Sequence, residues 1–361
     1  MKINFSLLCA VLMIPMIFFV PIIYTQAFPS RHTEKHLVEM IIALLTGILC
    51  WIFFGYFESF QVGSGNALPI ISQTFSPVMF VQLDFFLYAL VMFTGTAITK
   101  HSWNFFLIFV PVWTLLVYAP IANMMWSKTG YLAQLGALDF SGGLVVHLTA
   151  GLTSLMIAFS IRRPPNDERS TNPTLEYIAI LFVITGWFGF NLAPAGSFQN
   201  YGNLIVTNTL IAIIAATFGW LIPLADHDQP IKLNDVVNGI LVGLVTSTAA
   251  VGYVSPLSIG IITLLSGLIC HLATDLMNRT NRFYDAVDSF TINGVGGLIG
   301  TLGLIFLADT KVNPSGANGL LYGDFHFAKI ELIAIVIISV MTILGAALSL
   351  LATNILSLRK D

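Results

Sequence analysis

Eleven stretches of this chain are long and apolar enough to cross a lipid bilayer, and that feature excludes most folds. A backbone in hydrocarbon has no water to bond, so it must satisfy its own polar groups as a helix or a closed barrel. Runs of about twenty residues read as helices, since a barrel strand needs only about ten. The runs cover approximately Phe5–Gln26, Leu37–Phe57, Val78–Ile98, Trp103–Met125, Phe140–Ile161, Tyr177–Leu192, Leu204–Leu224, Val236–Val251, Leu257–Leu276, Phe290–Ala308 and Leu332–Leu358. Charged residues make up 9% of the chain, against about 25% in soluble domains. The sequence therefore predicts an all-α, multi-pass membrane protein with no separate soluble domain.

An odd number of spans puts the termini on opposite sides. Inner loops of membrane proteins are enriched in Lys and Arg. With the N-terminus outside, the inner loops hold Arg31, Lys35, Lys100, Arg162, Arg163, Arg169, Lys232, Arg279, Arg282, Arg359 and Lys360, and only Lys2, Lys128, Lys311 and Lys329 remain outside. The expected topology is N-out/C-in. Cleaving the first run as a signal peptide would move Arg31 and Lys35 to the outer side, so that run is read as a span. A net charge of −3 provides no basic patch for nucleic acid. Cys9, Cys50 and Cys270 fall inside apolar runs and suggest neither a disulfide framework nor a metal site. No cofactor, metal or covalent catalysis is implied.

The polar groups least tolerable to lipid lie between Asp139 and Leu152. If Asp139 caps the fifth span, His147 lies about 12 Å deeper at 1.5 Å per residue. A titratable imidazole at that depth marks either a water- or substrate-lined path or a packing helix whose histidine bonds a neighbour. Gly142, Gly143, Ala150 and Gly151 on the same helix permit close approach of another helix.

His147 is followed after three residues by Gly151-Leu152, and Asn293 after three by Gly297-Leu298. An aspartate precedes each, Asp139 or Asp288. Two five-span units are expected, about 5–161 and 175–308, with a final helix at about 332–358. A five-span unit inserts its second copy inverted, which places a path between the halves.

Four segments carry a resemblance to a known family: Tyr118-Ala-Pro-Ile-Ala-Asn-Met-Met-Trp126, Gly136 through His147, Gly186-Trp-Phe-Gly-Phe-Asn191, and Asp288 through Gly297. The chain resembles the ammonium transporter, methylammonium permease and Rhesus family from about Pro15 to Leu358. The resemblance implies a homotrimer in which each subunit has its own narrow pore for ammonium or ammonia. It makes Phe85 and Phe190 the stacked pair gating the outer end, and Trp126 with Phe85 the aromatic wall of an outer cation site. It gives Asp139 a structural and electrostatic role at the outer vestibule and makes His147 the first of two pore histidines, while the repeat makes Asp288 the counterpart of Asp139 in the second unit.

The sequence departs from the family pattern where the second histidine is Asn293, where Pro194 replaces a cation-binding serine, and where Ala249 follows Thr248 in place of a common proline. Asparagine can hydrogen-bond but cannot titrate. Asp84, beside the gate, is a candidate recruiter of the cation in place of the serine, or a helix-bonding group. His271 and Asp275 stand one helical turn apart and are expected to hydrogen-bond. The chain stops about three residues after the last run, so the family's P-II type regulator is not an expected partner. Conduction of ammonium or ammonia is the leading expectation. A pore-altered ammonium sensor and an electrically silent ammonia or carbon dioxide channel are the alternatives.

Overall fold

The computed structural model describes residues 4–61, 74–163, 169, 171–225, 230–280 and 283–357, all in helices and connecting loops. The sequence expectations for Lys2, Arg282 and the last residues, 358–361, lie outside these.

Among the described residues, ten helices are long and apolar enough to span, and an eleventh apolar helix is shorter. In chain order they are α1 (Phe5–Thr25), α2 (Ser30–Phe60), α3 (Pro77–Ala97), α4 (103–126), α5 (Gly143–Ala158), α6 (Pro173–Leu192), α7 (Gly202–Leu221), α8 (Leu233–Ala250), α9 (Pro256–Asn278), α10 (Phe290–Leu307) and α11 (Phe325–Ser357). Starts follow local chemistry. Ser76 and Ser255 each take an amide of the first turn on their hydroxyls, and a proline follows each at the first helical position.

Span five starts later than the apolar run suggests, and Asp139 is not its capping residue. The chain before it is non-helical, and Gly142 at φ 109° turns it into the helix, a conformation that costs glycine little. His147 is then only about 6 Å from the helix start. The first turn of α5, Gly143–Leu148, and that of α10, Phe290–Val295, are both π-helical. π-turns inside α-helices often occur at functional sites.

These two helices cross in contact because both are glycine-lined. A methyl on Gly151 would run into the backbone of Gly294, and one on Gly297 into the Gly143 carbonyl. α3 is deeply enclosed, with 83% of its most apolar stretch buried. Cross-bonds gather the loops into two faces. On one, the amides of Phe140 and Ser141 donate to Ala249 and Thr248 carbonyls, and Glu331 accepts from the Leu138 amide. On the other, Lys100 bonds the Ser160 carbonyl and Arg163 bonds Asn278. We refer to these as the Asp139 face and the Asp288 face.

Candidate functional site

Near the Asp139 face, α3, α4 and α6 bring three rings together. Phe85 lies 4.5 Å from Phe190 and 5.2 Å from Trp126, centre to centre. The two phenylalanines do not stack as the resemblance implies: they meet edge to face, at 77°. That arrangement sets the positive rim of one ring against the negative face of the other. Phe85 and Phe190 are fully enclosed, while Trp126 is half-buried and its indole N–H donates to the Asp139 carbonyl at 3.0 Å.

Asp139 acts on the start of α5 from four residues before Gly143. Its carboxylate accepts from the amides of Gly142, Leu144 and Val145 at 3.1, 3.0 and 2.9 Å. These are among the donors that a helix start leaves without internal partners. Behind them, Asn191 donates to Thr209 and Ser247 and accepts from Ser141, locking the end of α6 to α7, α8 and the approach to α5. Ala249 contributes a carbonyl there, which proline would supply equally well, so this departure leaves the contact intact.

His147 and Asn293 meet directly: Nδ1 and Oδ1 are 2.9 Å apart. The surrounding bonds fix where the protons lie. Ser289 spends its one hydroxyl proton on the Met92 carbonyl, at 2.8 Å. Ser289 therefore accepts from Ser154 at 2.8 Å and from Asn293 Nδ2 at 3.3 Å. With its amide nitrogen so used, Asn293 presents its oxygen to the ring, and His147 Nδ1 carries the proton. His147 Nε2 is left as a bare acceptor, buried and without a partner. Trp187 stacks over the imidazole at 5.5 Å and 10°.

From the Asp288 face a cavity of about 330 Å³ reaches inward to Asn293, with Arg169, Lys232, Asp235 and Asp288 among its lining residues. Asp285 rather than Asp288 takes the part that Asp139 plays in α5. It stands eight residues before Asn293, as Asp139 stands before His147. It accepts from the Phe290 amide at 2.8 Å and from Thr96 at 2.7 Å. Asp288, at φ 53°, turns to the cavity and to Asn278. Burial and the neighbouring Asp285 push its carboxyl up to about 7, against the pull of Arg169.

Asp84 is buried, and its Oδ2 has no hydrogen-bond partner. Pro194 is exposed in the turn after α6, and the nearby Ser197 hydroxyl is bonded to Gln199 in that loop. His271 and Asp275 approach to 3.7 Å, outside hydrogen-bond reach, with Asp275 half exposed. Sequence reasoning did not single out Ser289, Tyr88 or Trp187 itself. Only the motif Gly186–Asn191 pointed toward Trp187.

Fold and site together define a multi-pass membrane protein with a cluster of packed aromatic rings beside a buried histidine–asparagine pair. The family model of the Ammonium Transporter Family matches residues 4–361. The chain is 32% identical over 320 residues to the ammonium transporter Amt1 of Archaeoglobus fulgidus, covering 84% of this chain and 80% of that one. It is 29% identical over 350 residues to the ammonium transporter of Bacillus subtilis, covering 92% and 86%. The fold matches the crystal structure of Saccharomyces cerevisiae Mep2 with a TM-score of 0.85 at 23% identity, over 98% of this chain and 88% of that one. The chain belongs to the Ammonium Transporter Family. It is a multi-pass protein of the cell membrane, and the family is one of transporters, not enzymes.

Proposed function

We propose that this protein conducts ammonium or ammonia across the cell membrane through a path in each subunit. The observation that carries the reading is His147 Nε2, a bare acceptor held beneath the Phe85–Phe190 gate, where an N–H donor is the complementary ligand. A cation recruited at the faces of Phe85 and Trp126 gains about 1–2 kcal/mol from ring quadrupoles. It loses water at the gate and passes His147 and Asn293 into the cavity on the Asp288 face. The basic loop residues support N-out/C-in, so the Asp139 face is outer. The parallel π-turns, the crossed glycines and the Asp139/Asp285 pair support inverted units of about 5–161 and 175–308. Exposed apolar faces on α2, α4 and α11 are compatible with lipid or the homotrimer typical of this family. A cell lacking its own ammonium uptake should grow at low ammonium when it makes this protein. Absence of growth with the protein in the membrane would contradict conduction and favour an ammonium sensor.

Asp84 supports recruitment in place of the serine replaced by Pro194. A charge pair 4 Å apart at an effective dielectric of about 20 is worth about 4 kcal/mol before desolvation. Asp84→Asn keeps the shape and removes the charge, so the half-saturating ammonium concentration should rise roughly tenfold, from about 1.4 kcal/mol of lost attraction. An unchanged half-saturation in a folded variant ends the recruiter role. Loss of assembly favours a structural one.

Asn293→His should place a second titratable ring against His147. Transport current and its dependence on pH should then both change, because a two-imidazole path can relay protons and the native pair cannot. Parent-like current and pH response would mean that this position does not govern proton handling.

A further inference from the structure

Tyr88 stands on α3 one turn beyond Asp84. Its ring is fully buried and packs edge-on against Trp187 at 5.1 Å and against His147 at 6.0 Å, and it lies 5.3 Å from Phe190. The same residue lines the cavity that opens from the Asp288 face, as Asn293 does, whereas His147 does not. Tyr88 therefore lines that cavity on one side and packs against His147 on the other.

Its hydroxyl is buried with no hydrogen-bond partner. Leaving such a group unpaired is costly, and phenylalanine would fill the same space without that cost. Tyr24, in the same bundle, does satisfy its hydroxyl, on the Met92 carbonyl at 3.1 Å. Two unpaired polar atoms thus belong to side chains whose rings pack 6.0 Å apart: a nitrogen that can only accept, and a hydroxyl that can donate or accept. A molecule that donates to the first and accepts from the second has the chemistry of neutral ammonia. Ammonium fits as well, by donating to both.

We propose that Tyr88 is a substrate-contacting gate of the path, its ring closing the passage and its hydroxyl holding ammonia or ammonium together with His147 Nε2. This rests on the conduction reading and adds to it a polar group that replaces the absent second imidazole.

The test uses the full chain in proteoliposomes with two variants. Tyr88→Phe keeps the ring and removes the hydroxyl, so ammonium flux should fall roughly tenfold, the effect of one lost hydrogen bond in a dry site. Tyr88→Thr removes the ring, so the ratio of methylammonium to ammonium flux should rise severalfold. Parent-like flux in the first variant and a parent-like ratio in the second would overturn the proposal. A second readout separates the site from conduction: ammonium chloride, compared with sodium chloride, should raise the melting temperature of the parent and not that of Tyr88→Phe. A parent that passes no ammonium but shows this difference contradicts conduction and supports the site. Equal shifts in both proteins, or none in the parent, overturn the site.

Discussion

Asp139→Ala is expected to abolish accumulation of folded protein. The substitution removes one small side chain from a chain of 361 residues, yet it strips the acceptor from three buried amides, those of Gly142, Leu144 and Val145. A buried donor left without a partner costs about 1–3 kcal/mol, and more when the lost acceptor was charged. Three such losses amount to roughly 3–9 kcal/mol, comparable with the whole net stability of a typical domain at about 5–15 kcal/mol. The damage falls on the approach to α5, which also carries Trp126's hydrogen bond and the contact of Ser141 with Asn191. Asp139→Asn keeps one oxygen acceptor and should lie between the two. Detergent-solubilised yield and melting temperature check this, and a parent-like melting temperature for Asp139→Ala would show that the carboxylate does not hold this segment.

His147→Ala is expected to give a folded protein that conducts ammonium at least tenfold more slowly. The imidazole is enclosed by Trp187, Tyr88 and Phe190, and its Nε2 is a buried acceptor without a partner. Without it the stretch below the gate keeps a largely aromatic wall, and a dehydrated ammonium loses a hydrogen bond worth about 1.5–3 kcal/mol when charge-assisted. Asn293 loses one partner but keeps Ser289, so the crossing of α5 with α10, set by Gly151 and Gly297, should persist. Flux into liposomes and the melting temperature separate the two effects. Unchanged rate, selectivity and pH dependence would remove His147 from the path.

The spans were legible in the sequence because lipid imposes a length and a composition on every crossing helix, whatever it packs against. The gate was legible only through motif: among twenty-eight phenylalanines, nothing in residue type distinguishes Phe85 or Phe190. The edge-to-face meeting of those rings is set by tertiary packing, which no local pattern encodes. The late start of α5 is hidden in the sequence because Phe140 through Gly142 reads as part of an apolar run capped by Asp139, while the left-handed Gly142 depends on what the Asp139 carboxylate gathers. Asp288 is the nearer aspartate to Asn293 and draws the match in sequence; counting eight residues back, as from His147 to Asp139, finds Asp285. Tyr88 left no signal, since one tyrosine in a buried helix looks like core until its hydroxyl proves unpaired. Ser289 likewise matters through one proton given to a backbone carbonyl 197 residues away in sequence.

The most direct measurement is uptake of labelled methylammonium by proteoliposomes holding the purified protein, with ammonium as competitor and protein-free liposomes as control. Conduction past His147 predicts uptake above the control that saturates, falls as ammonium is added, and drops at least tenfold in His147→Ala. Uptake equal to protein-free liposomes, from folded protein correctly inserted, would contradict it.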